Sequence, residues 1–155
     1  MLQYPKKYMI SSGVGRDVNE LMSFDNALIS GKISNYNLVR VSSILPIGCR
    51  VAENIDKLEG SALLVAYGCI SSNTLNDRIA SAVAVGIPEA ENQVGIIMEY
   101  SGKCSESEAE KIVREMAVRA MRNHRIACKE IQSSSTEAIV TGTDYMTAIS
   151  FVAMW

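Results

Sequence analysis

The stretch Asn37-Leu-Val-Arg-Val-Ser-Ser-Ile-Leu-Pro46 places two serines at the point where an apolar segment ends. The residues before the serines are mostly apolar or β-branched, which is typical of a buried strand. Pro46 ends any ladder pairing, because proline has no N–H to donate. The pattern therefore predicts a buried strand that runs into a turn through Ser42 and Ser43.

Two interpretations of this serine pair stay open from the residues alone. Serines are common at strand ends and in turns. Alternatively, the Ser43 hydroxyl attacks the carbonyl of Ser42 and converts the peptide bond into an ester, and β-elimination at residue 43 then breaks the chain. The dehydroalanine left behind would hydrolyse to a pyruvoyl group, an N-terminal ketone that accepts electrons as pyridoxal phosphate does.

Residues 37–46 resemble the self-cleavage segment of pyruvoyl-dependent arginine decarboxylases. Three further stretches resemble this family in the same order, and the similarity extends from about residue 8 to Trp155. They are Phe-Asp-Asn-Ala-Leu at 24–28, Gly-Ile-Ile-Met-Glu-Tyr-Ser-Gly-Lys-Cys at 95–104 and Glu-Ala-Glu-Lys-Ile-Val-Arg-Glu-Met-Ala at 108–117.

The resemblance implies a fold, a cofactor and an activity. Cleavage between Ser42 and Ser43 would divide the single domain 1–155 into a β chain, 1–42, and an α chain, 43–155. The cofactor would be a covalent pyruvoyl group derived from Ser43, with neither pyridoxal phosphate nor a metal. The implied reaction is decarboxylation of L-arginine to agmatine and CO₂, a reaction of polyamine biosynthesis. The implied architecture is a layered α/β/β/α sandwich that forms a trimer of αβ units.

Glu99 is the most informative titratable residue in the sequence. It ends an apolar run, 94–98, and a carboxyl beside a core strand loses hydration, which raises its pKa. A raised pKa keeps a proton available for general acid catalysis. A strand-end glutamate that is exposed, or paired with Lys103, is the alternative. The family carries its proton donor at the matching position, so the resemblance makes Glu99 the expected acid.

Asn37 and Asp25 are the other candidate site residues. Asn37 either ends a turn or holds the scissile carbonyl through its amide. Asp25 follows Phe24 and points away from the apolar stripe of its helix, as a solvated carboxylate would. The resemblance, and the guanidinium's need for a carboxylate partner, make Asp25 the expected substrate-binding residue.

Two segments depart from the family pattern, and both would touch substrate in the family. Residues 16–23 replace a Thr-Pro-Leu-Asn-like sequence, and residues 32–36 replace a glycine-rich approach to the cleavage strand. Two alternatives to arginine decarboxylation therefore stay open. One is a pyruvoyl-dependent decarboxylase of another amino acid, and the other is an uncleaved, non-enzymatic paralogue.

Composition excludes several other classes. The 155 residues are 48% hydrophobic with a formal net charge of −2 and no Lys/Arg cluster, which does not favour nucleic-acid binding. No signal peptide or membrane span is predicted, and the four cysteines lack a Cys-x-x-Cys pair. We therefore expect a cytoplasmic protein with free thiols. The sole histidine, His124, is interpreted as a helix-end residue, and no metal site is predicted.

Hydrophobic periodicity predicts an α+β fold with two helices. The first spans 17–30, with Leu21, Phe24 and Leu28 on its core face and Gly31 past its end. The second begins at a Ser105–Glu108 capping box and runs for about five turns. Strands are predicted at 8–15, 61–70, 79–87, 94–100, 127–140 (interrupted at 133–135) and 145–155.

Overall fold

The long apolar runs form the central strands of two β-sheets in the computed structural model, which describes residues 2–155. The five-stranded sheet has the order β2-β5-β9-β1-β4, and the four-stranded sheet has the order β3-β7-β6-β8. The helices are α1 (Glu20–Ser30) and α2 (Glu106–Asn123). The strands are β1 (Lys7–Asp17), β2 (Asn37–Arg40), β3 (Ile44–Leu45), β4 (Arg50–Val51), β5 (Ala62–Ser72), β6 (Arg78–Pro88), β7 (Gly95–Gly102), β8 (Cys128–Ile139) and β9 (Tyr145–Met154).

Side chains that alternate along the central strands give each sheet two apolar faces. Phe151 and Ala153 of β9 pack in a cluster with Ala27 and Leu28 of α1. The next residue, Val152, packs in another cluster with side chains of β6. On the far face of β6, three alanines pack against α2: Ala80, Ala82 and Ala84. These contacts confirm a small α+β domain of two helices and two sheets and are compatible with a sandwich.

Helix α1 differs from its predicted form, because its contact with β1 is unusually close. A Cβ atom added at Gly15 would lie 2.0 Å from the carbonyl oxygen of Ser23. Small residues therefore face the strand, with Ser23 and Ala27 buried, and the predicted core residue Leu21 is 73% exposed. The helix begins at Glu20 rather than at residue 17, because β1 continues to Asp17.

Strand β2 is not the buried strand that its apolar residues predict. It is an edge strand, paired in parallel with β5 alone. Leu38 is half-buried, while the other three residues of β2 are exposed in the single chain. The side chains have the β-propensity of a core strand, but the position at the edge determines their burial.

Strand β8 runs without the predicted interruption at residues 133–135. Its serines have partners outside the strand: Ser133 donates a hydrogen bond to Glu110 at 2.9 Å and Ser135 donates one to Glu106 at 3.0 Å. Ser134 donates a hydrogen bond to the Ser12 hydroxyl at 3.0 Å. Because these hydroxyls are satisfied, the polar triplet can stay paired with β6.

Helix α2 forms as predicted. The Ser105 side chain accepts a hydrogen bond from the Glu108 N–H, and the Glu108 carboxylate accepts one from the Ser105 N–H. This capping box fixes the start of the helix. The helix ends at its C-cap, His124, which is exposed. All four cysteines are free thiols, as predicted.

Candidate active site

The Ser42–Ser43 peptide lies in one of the connections between the two sheets. It follows β2, which belongs to the five-stranded sheet, and precedes β3, which belongs to the four-stranded sheet. On one side the Val41 N–H donates to the Val65 carbonyl at 3.0 Å. On the other side the Ser43 carbonyl accepts from the Ile97 N–H at 2.7 Å. The backbone is therefore held on both flanks of the serine pair.

Both serine hydroxyls are without a hydrogen-bond partner among residues 2–155. The side chain of Ser42 is exposed and that of Ser43 is half-buried. A hydroxyl without a partner keeps its lone pairs available for attack on a nearby carbonyl. Such an arrangement leaves the Ser43 oxygen free to act as a nucleophile toward its own backbone.

The crossover leaves two strand edges open. β2 pairs with β5 only as far as Val65, and β3 pairs with β7 only as far as Ile96, with one further bond to Ile97. Past these points neither β5 nor β7 has a strand on that side within the described chain. Glu99 lies in this open part of β7, two residues and about 7 Å along the strand from Ile97.

The carboxyl of Glu99 has the environment that its sequence context predicts. Glu99 is half-buried and lies across from Val83 in the sheet. Burial raises the pKa of the Glu99 carboxyl above its usual range, and the positive charge of Arg40 opposes that shift. Lys103 pairs with Asp77 at 3.0 Å, so the alternative of a Glu99–Lys103 ion pair is wrong.

Asn37 is not brought to the scissile bond within one chain. Its side-chain amide donates a hydrogen bond to the Gly60 carbonyl at 2.7 Å. It starts β2, and five residues of extended chain put it about 16 Å from Ser42. An Asn37 contact with the carbonyl of Ser42 therefore has no basis in the single chain.

Asp25 forms no hydrogen bond with the serine pair among the described residues. It is exposed on α1, as its place beside Phe24 predicts, and has no hydrogen-bond or ion-pair partner among the described residues. Its neighbour Phe24 contacts Tyr67 of β5, with ring centroids 6.3 Å apart. A hydrogen bond connects Ser43 with β7, the strand that carries Glu99, whereas no hydrogen bond of the described chain connects Asn37 or Asp25 with the serine pair.

The best-defined cavities of the described chain are lined by residues other than the serine pair and Glu99. The largest of four has a volume of about 520 Å³ and lies beside α2. None of the four is lined by Ser42, Ser43 or Glu99.

Sequence reasoning missed three features beside Glu99. Gly68 of β5 makes room for it, since an added Cβ would lie 3.2 Å from the Glu99 Cβ. A buried hydroxyl network lies next to that glycine: Ser81 donates to the Gly68 carbonyl at 3.0 Å and contacts Ser150 at 2.6 Å. The third feature is Arg40. Serines inside apolar strands were the available signal for the network, whereas nothing local indicated the role of Gly68.

Neither helix of the described chain has the length and hydropathy needed to cross a membrane. Residues 2–155 also hold no group of three or more His, Cys, Asp or Glu side chains placed to bind a metal ion.

Together these features define a class: small α+β proteins with two sheets whose candidate site lies at a strand crossover. A sequence model of the family described as pyruvoyl-dependent arginine decarboxylase (PvlArgDC) matches residues 7–155. The chain therefore belongs to the pyruvoyl-dependent arginine decarboxylase family, which confirms the resemblance. The matched range includes every candidate site residue.

Curated relatives with that name are similar over most of the chain. The protein of Methanocaldococcus jannaschii is 42% identical over 114 residues, which cover 73% of this chain and 68% of the relative. That of Methanococcus aeolicus is 34% identical over 151 residues, which cover 97% of this chain and 90% of the relative. That of Thermococcus sibiricus is 36% identical over 141 residues, which cover 88% of this chain and 87% of the relative.

Proposed function

We propose that this chain is a pyruvoyl-dependent arginine decarboxylase that converts L-arginine to agmatine and CO₂ after it has cut itself between Ser42 and Ser43. The observation that carries the proposal is the Ser42–Ser43 peptide, which is pinned between two sheets near the half-buried carboxyl of Glu99. Membership of the family supports both the chemistry and the substrate.

The self-cleavage begins with attack of the Ser43 hydroxyl on the carbonyl carbon of Ser42. The C–N bond breaks as the ester forms, and the nitrogen becomes a free amine. Loss of the Ser43 α-proton then breaks the Cβ–Oγ bond, and Ser42 leaves as the C-terminal carboxylate of the β chain, 1–42. Water replaces the nitrogen, which departs as ammonia, and the α chain begins at residue 43. The hydrogen-bonded backbone on both sides of the serine pair favours these reaction steps, because it holds the nucleophile and the carbonyl in place.

The pyruvoyl group that results from Ser43 supplies a ketone that condenses with the substrate amine and takes up the electrons released as CO₂ leaves. Residue 43 suits this role, because its carbonyl is already fixed by the Ile97 N–H. The Glu99 carboxyl donates a proton to the substrate α-carbon, and its raised pKa extends to higher pH the range in which that proton is present. Asp25 binds the guanidinium of the substrate.

A second copy of the chain completes the site in this proposal. The unpaired edges of β5 and β7 in one described chain support it. We assign a trimer of αβ units, each an α/β/β/α sandwich, in which a neighbouring copy brings Asp25 and Asn37 to the serine crossover. Light scattering should give three times the protomer mass, and a monomer would contradict this assignment.

Decarboxylation of a panel of amino acids tests the proposed activity. The purified protein is incubated with arginine, lysine, ornithine, histidine or aspartate, and CO₂ release is measured. We expect arginine to be the best substrate and agmatine the product. Preference for another amino acid would contradict arginine as the substrate but would leave the proposed pyruvoyl-dependent decarboxylation intact. No CO₂ from any of them, with an uncut chain, would identify a non-enzymatic paralogue.

A further inference from the structure

Arg40 holds a fixed position at the end of β2, three residues before Ser43. Its Nη2 donates a hydrogen bond to the Tyr67 carbonyl at 3.0 Å. Its guanidinium carbon lies 4.5 Å from the centroid of the Tyr67 ring, within the range of a cation–π contact. The two contacts hold the guanidinium on the open edge of β5, although the residue as a whole is exposed.

Arg40 and Glu99 lie against neighbouring residues of β5, Tyr67 and Gly68. Arg40 binds the Tyr67 carbonyl from the edge of the sheet. Glu99 packs against Gly68 from the other sheet, so closely that only a glycine fits there without displacing it. Ser81 holds the same glycine through its carbonyl, which makes this part of β5 a rigid support for both side chains.

We infer that Arg40 is a positioning residue, which holds a fixed positive charge beside Glu99 and so sets the pH range in which this carboxyl donates its proton. The inference rests on the proposed role of Glu99 and extends it to a residue on the opposite side of the cleavage point. After cleavage Arg40 would remain in the β chain while Glu99 would belong to the α chain, so the electrostatic influence would act between the two products.

Arg40 is the charged group that acts on Glu99 from the surrounding elements. β5 contributes two titratable residues next to Gly68, Tyr67 and Cys69. The residues of β3, β6, β9 and α2 that pair with β7 or share a cluster with its side chains are uncharged, among them Leu45, Val83, Val152 and Val113. Burial raises the pKa of Glu99, and the Arg40 charge lowers it. Removal of the Arg40 charge should therefore move the titration of Glu99 to higher pH.

The titration of Glu99 can be measured directly by ¹³C NMR of glutamate side chains in the full-length Ser43→Ala protein. Arg40→Met removes the charge, and Arg40→Gln removes the charge but keeps an N–H donor for the Tyr67 carbonyl. Arg40→Lys restores the charge. Glu99→Gln assigns the resonance, and Arg119→Met is the matched control, since it removes an exposed arginine on α2. We expect the midpoint of the Glu99 titration to move to higher pH in Arg40→Met and Arg40→Gln. It should return to the parent value in Arg40→Lys and stay unchanged in Arg119→Met.

A midpoint that is the same in Arg40→Met, Arg40→Gln and the parent protein would overturn the inference. The pH profile of kcat in the processed enzyme gives a second readout, because its high-pH limb should move upward in the same variants. A merely structural role would lower kcat without moving that limb. The two failures are distinguishable: a wild-type protein that releases no CO₂ refutes the proposed function, whereas the NMR titration does not depend on activity.

Discussion

The two edges of the four-stranded sheet are built in opposite ways. At one edge, β8 pairs with β6 from Arg78 to Pro88, and the β8 serines bond to carboxylates of α2. At the other edge, β3 pairs with β7 through two residues only, and the chain then crosses to the other sheet. One edge strand is therefore long, with serine side chains that are satisfied by α2, while the other is short and leaves the part of β7 that carries Glu99 without a neighbouring strand on that side.

The largest expected effect is the loss of both self-cleavage and decarboxylation in the Ser43→Ala protein. Ser43→Ala lacks the nucleophilic oxygen, so the chain should stay intact and release no CO₂ from arginine. Ser42→Ala keeps the carbonyl that is attacked, so it should still yield two chains. Denaturing gel electrophoresis and a CO₂ assay check both. Cleavage of the Ser43→Ala protein at the same bond would contradict the account.

The substitution Glu99→Gln separates self-cleavage of the chain from decarboxylation of the substrate. Glu99→Gln cannot donate the proton, so kcat should fall by about 10²- to 10⁴-fold, the usual contribution of a general acid. Processing should continue, because the Ser43 hydroxyl is unchanged. Mass spectrometry verifies the cleavage before the assay. A fully processed variant with wild-type kcat would remove Glu99 from the mechanism.

Stability should depend on the closed interior rather than on the open edge. Phe151 is fully buried, and Phe151→Ala should lower the free energy of unfolding by about 3–5 kcal/mol. Val39 lies on β2 and is 39% exposed, so Val39→Ala should cost less, about 0.5 kcal/mol. Denaturant titration of both variants at one protein concentration makes the comparison. Equal losses would show that β2 is buried in the assembled protein.

The smallest expected effect is a pH dependence of stability that comes from Glu99. Because burial raises its pKa in the folded state, the folded protein binds more protons than the unfolded chain over that range. Its contribution should therefore weaken as pH rises from the ordinary glutamate range through the raised folded value. Denaturant titrations of the Ser43→Ala protein with and without Glu99→Gln should diverge in this direction. Parallel pH profiles would contradict it.

Features determined by local sequence were predictable. The Ser105–Glu108 capping box and the apolar stripe of α2 depend on neighbours within a few turns, and the helix forms as expected. The apolar run before Glu99 correctly predicted a raised pKa, because the strand itself supplies the burial.

Features determined by remote contacts were not predictable. The first strand was predicted to end at Gly15, but the glycines of β1 lie inside the strand and admit α1. Ser133 looked like a strand breaker, yet its partner Glu110 lies 23 residues away. β2 reads as a core strand because its residues do not encode its place at the sheet edge. Asn37 and Asp25 form no hydrogen bond with the serine pair in the described chain, so their roles stay a prediction.

The most direct test of the central claim is the intact mass of the freshly purified protein, before and after treatment with a hydrazine. The account predicts two chains, 1–42 and 43–155, with the larger one lighter by one ammonia than a serine-initiated chain and reactive toward the hydrazine. A single uncut chain of 155 residues that does not react with the reagent would contradict it.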